Sequence, residues 1–61
     1  MNFDNAIQRA MAWYPISDPN IKTLDEMVKY YSHELEINKT DYDKQFRISL
    51  ALYELGVSVT P

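Results

Sequence analysis

One predicted helix, over residues 40–55, is apolar on two sides, and this feature restricts the possible folds more than any other in the chain. At 100° per residue, its first stripe contains Tyr42, Phe46, Leu50 and Tyr53. Its second stripe points roughly the other way and contains Ile48, Ala51, Leu52 and Leu55. A helix that is apolar nearly all round must be buried nearly all round. We therefore expect this helix to lie at the centre of the fold or to meet another chain.

Two earlier segments also have the helical period, and each has a single apolar face. The first covers residues 3–14, ends before Pro15, and places on one side Phe3, Ile7, Ala10, Met11 and Tyr14. The second covers residues 23–37 and has a stripe of Leu24, Met27, Val28, Tyr31 and Leu35. These faces can cover one side of the third helix and its flanks, but they cannot easily enclose it.

Capping signals and turn signals separate the three segments. Thr23 and Glu26 form a predicted capping box at the start of the second helix. Asn38 is a plausible end for that helix, Thr40 is the predicted cap of the third, and Gly56 is the residue expected to terminate it. The prediction is one domain over residues 1–61: an all-α, compact three-helix bundle with helices at about 3–14, 23–37 and 40–55 and a short extended C-terminal tail.

The size of the chain makes an interface a reasonable expectation. A domain of 61 residues buries only about 60% of the surface that its unfolded chain exposes. There is no cysteine and only one histidine, so disulfides are excluded and no metal or other cofactor is predicted. Tight packing and self-association remain as the means of stabilisation.

The interface hypothesis assigns the second stripe of the third helix to a contact with another chain. Two aromatic residues lie on the shoulders of the other helices and would join it, because tryptophan and tyrosine often anchor interfaces. The predicted protein interface is Trp13, Tyr30, Ile48, Leu52 and Leu55. The alternative is that the third helix is sandwiched between the other two, with Trp13 at one end of the core. The sequence pattern leaves both open.

The predicted function is that of a small, non-enzymatic protein-protein interaction or regulatory protein. Its partner would be a second copy, in a homodimer or higher species, or a larger protein. We predict no catalytic residue and no small-molecule substrate, because the chain has one glycine and its carboxylates lie at helix starts or on solvent faces. His33 and Glu36 have a spacing found in metal sites, but without further histidine ligands they are interpreted as solvated surface residues.

A helix-turn-helix nucleic-acid-binding regulator is the alternative function. Lys39, Lys44 and Arg47 cluster near the start of the third helix, which would be the recognition helix. Asp41 and Asp43 at its leading end and the net charge of −3 argue against a nucleic-acid partner. No segment is apolar for long enough to suggest a membrane, and the expected location is the cytoplasm.

Overall fold

The structure is a computed structural model that describes the backbone of residues 3–58 and the side chains of residues 5–58. Three α-helices follow one another in this range: α1 (Phe3–Trp13), α2 (Leu24–Ile37) and α3 (Tyr42–Glu54). The radius of gyration is 10.8 Å, close to the ~10.5 Å expected for a compact domain of this length. The predicted all-α three-helix architecture is confirmed, and each helix lies within one or two residues of its predicted bounds.

The capping box fixes the start of α2 as predicted. The backbone N–H of Glu26 donates to Thr23 Oγ1 at 3.2 Å, and Glu26 Oε1 accepts from the backbone N–H of Thr23 at 3.0 Å. The same oxygen also accepts from the N–H of Lys22 at 2.9 Å. These backbone N–H donors stabilise the carboxylate and hold the pKa of Glu26 below its usual value. These reciprocal hydrogen bonds fix the direction in which the chain enters α2.

The start of α3 differs from the prediction by one residue. Its N-cap is Asp41, not Thr40: the Oδ1 atom of Asp41 accepts from the N–H of Lys44 at 3.2 Å. The turn after α2 is the reason, because the N–H of Asp41 donates back to the carbonyl of Asn38 at 2.9 Å and so lies outside the helix. Gln45 then donates from Nε2 to the carbonyls of Leu35 and Asn38, at 2.7 and 3.0 Å, and ties the two helices together.

Gly56 ends α3 in the left-handed conformation, with φ of +88°. The N–H of Val57 donates to the carbonyl of Leu52 at 2.9 Å, and the N–H of Gly56 donates to that of Tyr53 at 2.9 Å. These two bonds constitute a Schellman motif, which satisfies carbonyls that the last turn would otherwise leave unpaired. The predicted extended tail lies mostly outside the described residues, since only Val57 and Ser58 of it are described.

Helix α3 is the centre of the fold, and α1 and α2 each pack mainly against it rather than against each other. The fully or nearly fully buried residues come from all three helices and the turn after α3; they are Ala10, Met27, Tyr31, Ile48, Ala51, Leu52 and Leu55. The apolar faces predicted for α1 and α2 pack against this core, apart from Phe3, whose side chain is outside the described residues. Within the described range, no helix has the length and apolar character needed to cross a bilayer.

Candidate protein-binding surface

The solvent-facing side of α3 is aromatic. Tyr42, Phe46 and Tyr53 are 82%, 61% and 69% exposed, and half-buried Leu50 lies on the same stripe. From Tyr42 to Tyr53 this stripe is about 16 Å long at 1.5 Å per residue. Exposed single apolar residues are common, but a continuous aromatic stripe along one helix usually marks a contact surface.

Helical geometry accounts for this exposure. The buried residues Ile48, Ala51 and Leu52 lie on the opposite side of α3 from Phe46 and Leu50, as the 100° rotation per residue requires. Because α1 and α2 both pack around the buried side, they leave most of the aromatic stripe uncovered.

Trp13 extends the aromatic stripe onto the end of α1. Its ring meets Phe46 edge to face, with centroids 6.4 Å apart and planes at 82°. Its indole Nε1–H lies 3.4 Å from Glu54 Oε2, and its backbone carbonyl accepts from Arg47 Nε at 3.1 Å. Trp13 as a whole remains 38% exposed. We call the surface formed by Trp13, Tyr42, Phe46, Leu50 and Tyr53 the aromatic face.

The charges that border the aromatic face are paired within the chain. Arg9 Nε donates to Glu54 Oε1 at 2.8 Å, and this bond, more than the indole contact, holds the pKa of Glu54 below its usual value. Arg47 lies 3.5 Å from Asp43 Oδ2, and its guanidinium carbon is 5.5 Å from the ring centroid of Tyr14. Arg47 is thus directed toward α1 and away from the stripe, and the aromatic face itself carries no ionised side chain.

The predicted interface is only partly located on the surface. Ile48, Leu52 and Leu55 are buried in the chain's own core, so the expectation that they form an exposed contact stripe is corrected. Tyr30 is half-buried and packs edge to face against Tyr31, with centroids 5.8 Å apart. Of the five predicted residues, Trp13 belongs to the exposed surface.

The stripe of α3 predicted to form the interface is the buried one, and the chemistry of the two stripes gives the reason. The buried stripe is aliphatic and includes Ala51, which allows close approach of a neighbouring helix. The exposed stripe contains two tyrosines, whose hydroxyls stay hydrated at the surface, and Ser49 lies on the same side. These polar atoms are the sequence signal that distinguishes the two stripes. The helical period alone does not distinguish them, so the sequence-based prediction did not include Tyr42, Phe46, Leu50 and Tyr53 as surface candidates.

The other residues considered from the sequence lie apart from this surface. His33 and Glu36 are exposed on α2. Among the described residues, no three histidine, cysteine, aspartate or glutamate side chains come together as a potential metal site. Of the basic residues near the start of α3, Lys39 is exposed, whereas Lys44 is half-buried and Arg47 is turned toward α1. The solvent-facing stripe of α3 is therefore aromatic rather than basic.

Comparison of the sequence with protein-family models, with curated proteins and with solved structures found no match.

Proposed function

We propose that this chain is a small, non-enzymatic interaction protein that binds another protein chain through its aromatic face. The observation that carries the proposal is the continuous exposure of Tyr42, Phe46 and Tyr53 along one helix, next to Trp13. Aromatic residues dominate the binding energy of protein interfaces, because they bury a large area with few rotatable bonds.

The extent of the aromatic face supports this role. An aromatic side chain presents about 150–250 Å², so the exposed parts of these four rings amount to roughly 400–600 Å². The total accessible surface is 4491 Å², of which this area is roughly a tenth. A specific protein contact typically uses about that share of a small protein's surface.

The fixed position of Trp13 also supports binding. Contacts with Phe46, Glu54 and Arg47 reach it from three sides through its ring, its indole N–H and its backbone carbonyl. A side chain already ordered in the free protein loses less conformational entropy when a partner covers it. The aromatic face is therefore prepared for contact at its α1 edge.

Photo-crosslinking in cells that produce the protein tests the proposal. A photoreactive phenylalanine analogue is placed at Phe46 or Tyr53, and in matched samples at Ile37 of α2. Ile37 is a suitable control because it is 59% exposed, nearly the same as Phe46, and lies outside the aromatic face. We expect protein adducts of defined mass from positions 46 and 53 and none from position 37.

Two outcomes contradict the proposal. One is the absence of any adduct from both Phe46 and Tyr53 when the probe is shown to be incorporated and reactive. The other is an equal pattern of adducts from Ile37, which would indicate random collisions rather than a binding surface. The mass of a defined adduct also states whether the partner is a second copy or another protein.

The proposal includes residence in the cytoplasm. Small domains in oxidising compartments usually depend on disulfides, whereas this chain has no cysteine to form them. Fractionation of cells that produce the protein should recover it with cytoplasmic markers, and recovery in a secreted fraction would contradict this part.

A further inference from the structure

We infer that the partner of the aromatic face is a second copy of this chain, joined through antiparallel pairing of the two α3 helices about a two-fold axis. This inference rests on the proposed function, since it names the occupant of the same surface. Three features of α3 support it: the order of side chains along the stripe, the absence of charge on it, and its area.

The order of side chains along α3 is self-complementary. The midpoint between Tyr42 and Tyr53 is also the midpoint between Phe46 and Ser49. A two-fold axis through that point places Tyr42 of one copy beside Tyr53 of the other. The same axis places the large ring of Phe46 over the small side chain of Ser49, so a bulky group meets a space rather than another bulky group. Both contacts occur twice, as a two-fold interface requires.

The electrostatics of the stripe permit a second copy to approach. Like charges facing each other would oppose pairing of identical surfaces, but the aromatic face has no ionised side chain. Glu54 at one border is paired with Arg9, and Arg47 is directed toward Trp13 and Tyr14 of its own chain. A surface without charge gives no advantage to a strongly acidic or basic partner and suits an identical uncharged surface.

The area of the contact is sufficient for a reversible dimer. Two aromatic faces together expose roughly 800–1200 Å² of aromatic surface that a dimer contact can bury, and Leu50, Ser49 and the borders add to it. Stable specific interfaces begin at about 1,200 Å² and transient ones bury less, so we expect a weak, reversible association near this boundary. The single chain, which has a small core, gains burial of its most exposed apolar residues.

Measuring the solution mass across a dilution series tests whether the partner of the aromatic face is a second copy of the chain. The recombinant chain is measured by light scattering and sedimentation from about 1 µM to about 1 mM, the range in which an interface of this area is expected to associate. We expect the mass to double with increasing concentration. Phe46→Lys should weaken the association at least 10-fold, whereas Ile37→Lys, with the same charge change at a similarly exposed residue, should alter it less than 2-fold. Circular dichroism confirms that both variants remain helical.

Cysteine crosslinking tests the antiparallel arrangement, and the absence of native cysteine makes it simple to interpret. Chains with Tyr42→Cys and Tyr53→Cys are mixed at a concentration where the unsubstituted chain is dimeric, and are treated with a short thiol crosslinker. Antiparallel pairing should give the mixed 42–53 product. In this arrangement residue 42 of one copy lies about 16 Å along the helix from residue 42 of the other copy. The 42–42 and 53–53 products should therefore be absent.

The contradicting results are distinct. A chain that stays monomeric up to about 1 mM, a concentration at which even weak interfaces associate, overturns the inference. If a different protein is then crosslinked at Phe46 in cells, the proposed function stands. A dimer that gives 42–42 and 53–53 products, or one that Phe46→Lys does not weaken, overturns the antiparallel pairing. Absence of any adduct in cells, together with a monomer in solution, removes both proposals.

Discussion

The phenol hydroxyl of Tyr31 donates a 2.7 Å hydrogen bond to the backbone carbonyl of Tyr14 and ties the middle of α2 to the end of α1. The two rings also meet edge to face, with centroids 6.2 Å apart. Since α1 and α2 pack mainly on α3, this tyrosine pair is a principal link between them. Tyr14 in turn donates to Glu34 Oε1 at 2.8 Å, which adds a second bond between the same two segments.

Removing the Tyr31 hydroxyl should weaken this link without emptying the core. We expect Tyr31→Phe to lower the free energy of unfolding by about 1–2 kcal/mol, because the ring is kept while the bond to the Tyr14 carbonyl is lost. Urea unfolding followed by circular dichroism measures the change. An unchanged stability would mean that water replaces the hydroxyl at no cost.

Because Leu52 lies in the core, its substitution should lower the stability of the single chain, which substitution of an interface residue should not do. Leu52 is 1% exposed, so Leu52→Ala should cost about 2–5 kcal/mol, which is comparable to the whole stability of a domain this small. Leu50→Ala, the same change on the exposed stripe, should cost less than about 1 kcal/mol. Thermal unfolding of the two variants at low concentration compares them. Equal losses would contradict the assignment of the two stripes.

The N-cap of α3 can be tested by two neighbouring substitutions. Asp41→Ala should lower the free energy of unfolding by about 1 kcal/mol, because it removes the acceptor of the Lys44 N–H. Thr40→Ala should have little effect, since Thr40 lies in the turn before the cap. The reverse order of effects in chemical unfolding would place the cap at Thr40.

Substitutions at Gly56 distinguish the cost of backbone strain from the cost of steric crowding. A Cβ atom at this position would meet nothing within 4 Å, so any cost of substitution comes from the positive φ. We expect Gly56→Ala to lose about 1–2 kcal/mol and Gly56→Asn to lose less, because asparagine adopts this conformation more readily. For a chain of this size the alanine variant should melt about 4–8 °C lower per kcal/mol. A smaller loss for alanine than for asparagine would be inconsistent with strain.

Alkaline pH should destabilise the fold through Tyr31 and Tyr14. Burial, reinforced by the proximity of Tyr30, raises the pKa of Tyr31 to about 12 from the ordinary value of 10.0. Burial and the bond to Glu34 raise the pKa of Tyr14 to about 12 as well. The folded state therefore favours the neutral phenols: their contribution is complete below pH 10 and is lost as the pH rises toward 12.

Urea unfolding between pH 8 and 12 measures this dependence. The decline should begin near pH 10, where the phenol of Tyr31 ionises in the unfolded chain while the folded chain keeps it neutral. Tyr31→Phe should show a shallower decline above pH 10 than the unsubstituted chain. An identical slope in both would contradict the role of Tyr31.

The helices and most of their ends could be predicted from the sequence, because those features depend on neighbouring residues. The capping box of Thr23 and Glu26 and the turn at Gly56 each involve residues within five positions of one another. The side of α3 that is buried depends instead on where α1 and α2 pack, and periodicity gives two equivalent stripes. Contacts such as that between Trp13 and Phe46 join residues far apart in the chain, and no local pattern indicates them.

The central position of α3 also sets the order of events during synthesis. The ribosome makes α1 and α2 first, and these helices of 11 and 14 residues are too short to be stable alone in water. Their common packing partner is translated after both of them, and the contact between Arg9 and Glu54 joins residues 45 positions apart. The nascent chain should therefore stay unfolded until α3 has emerged, and a product that stops before Ile48 should leave two helices with nothing to pack against.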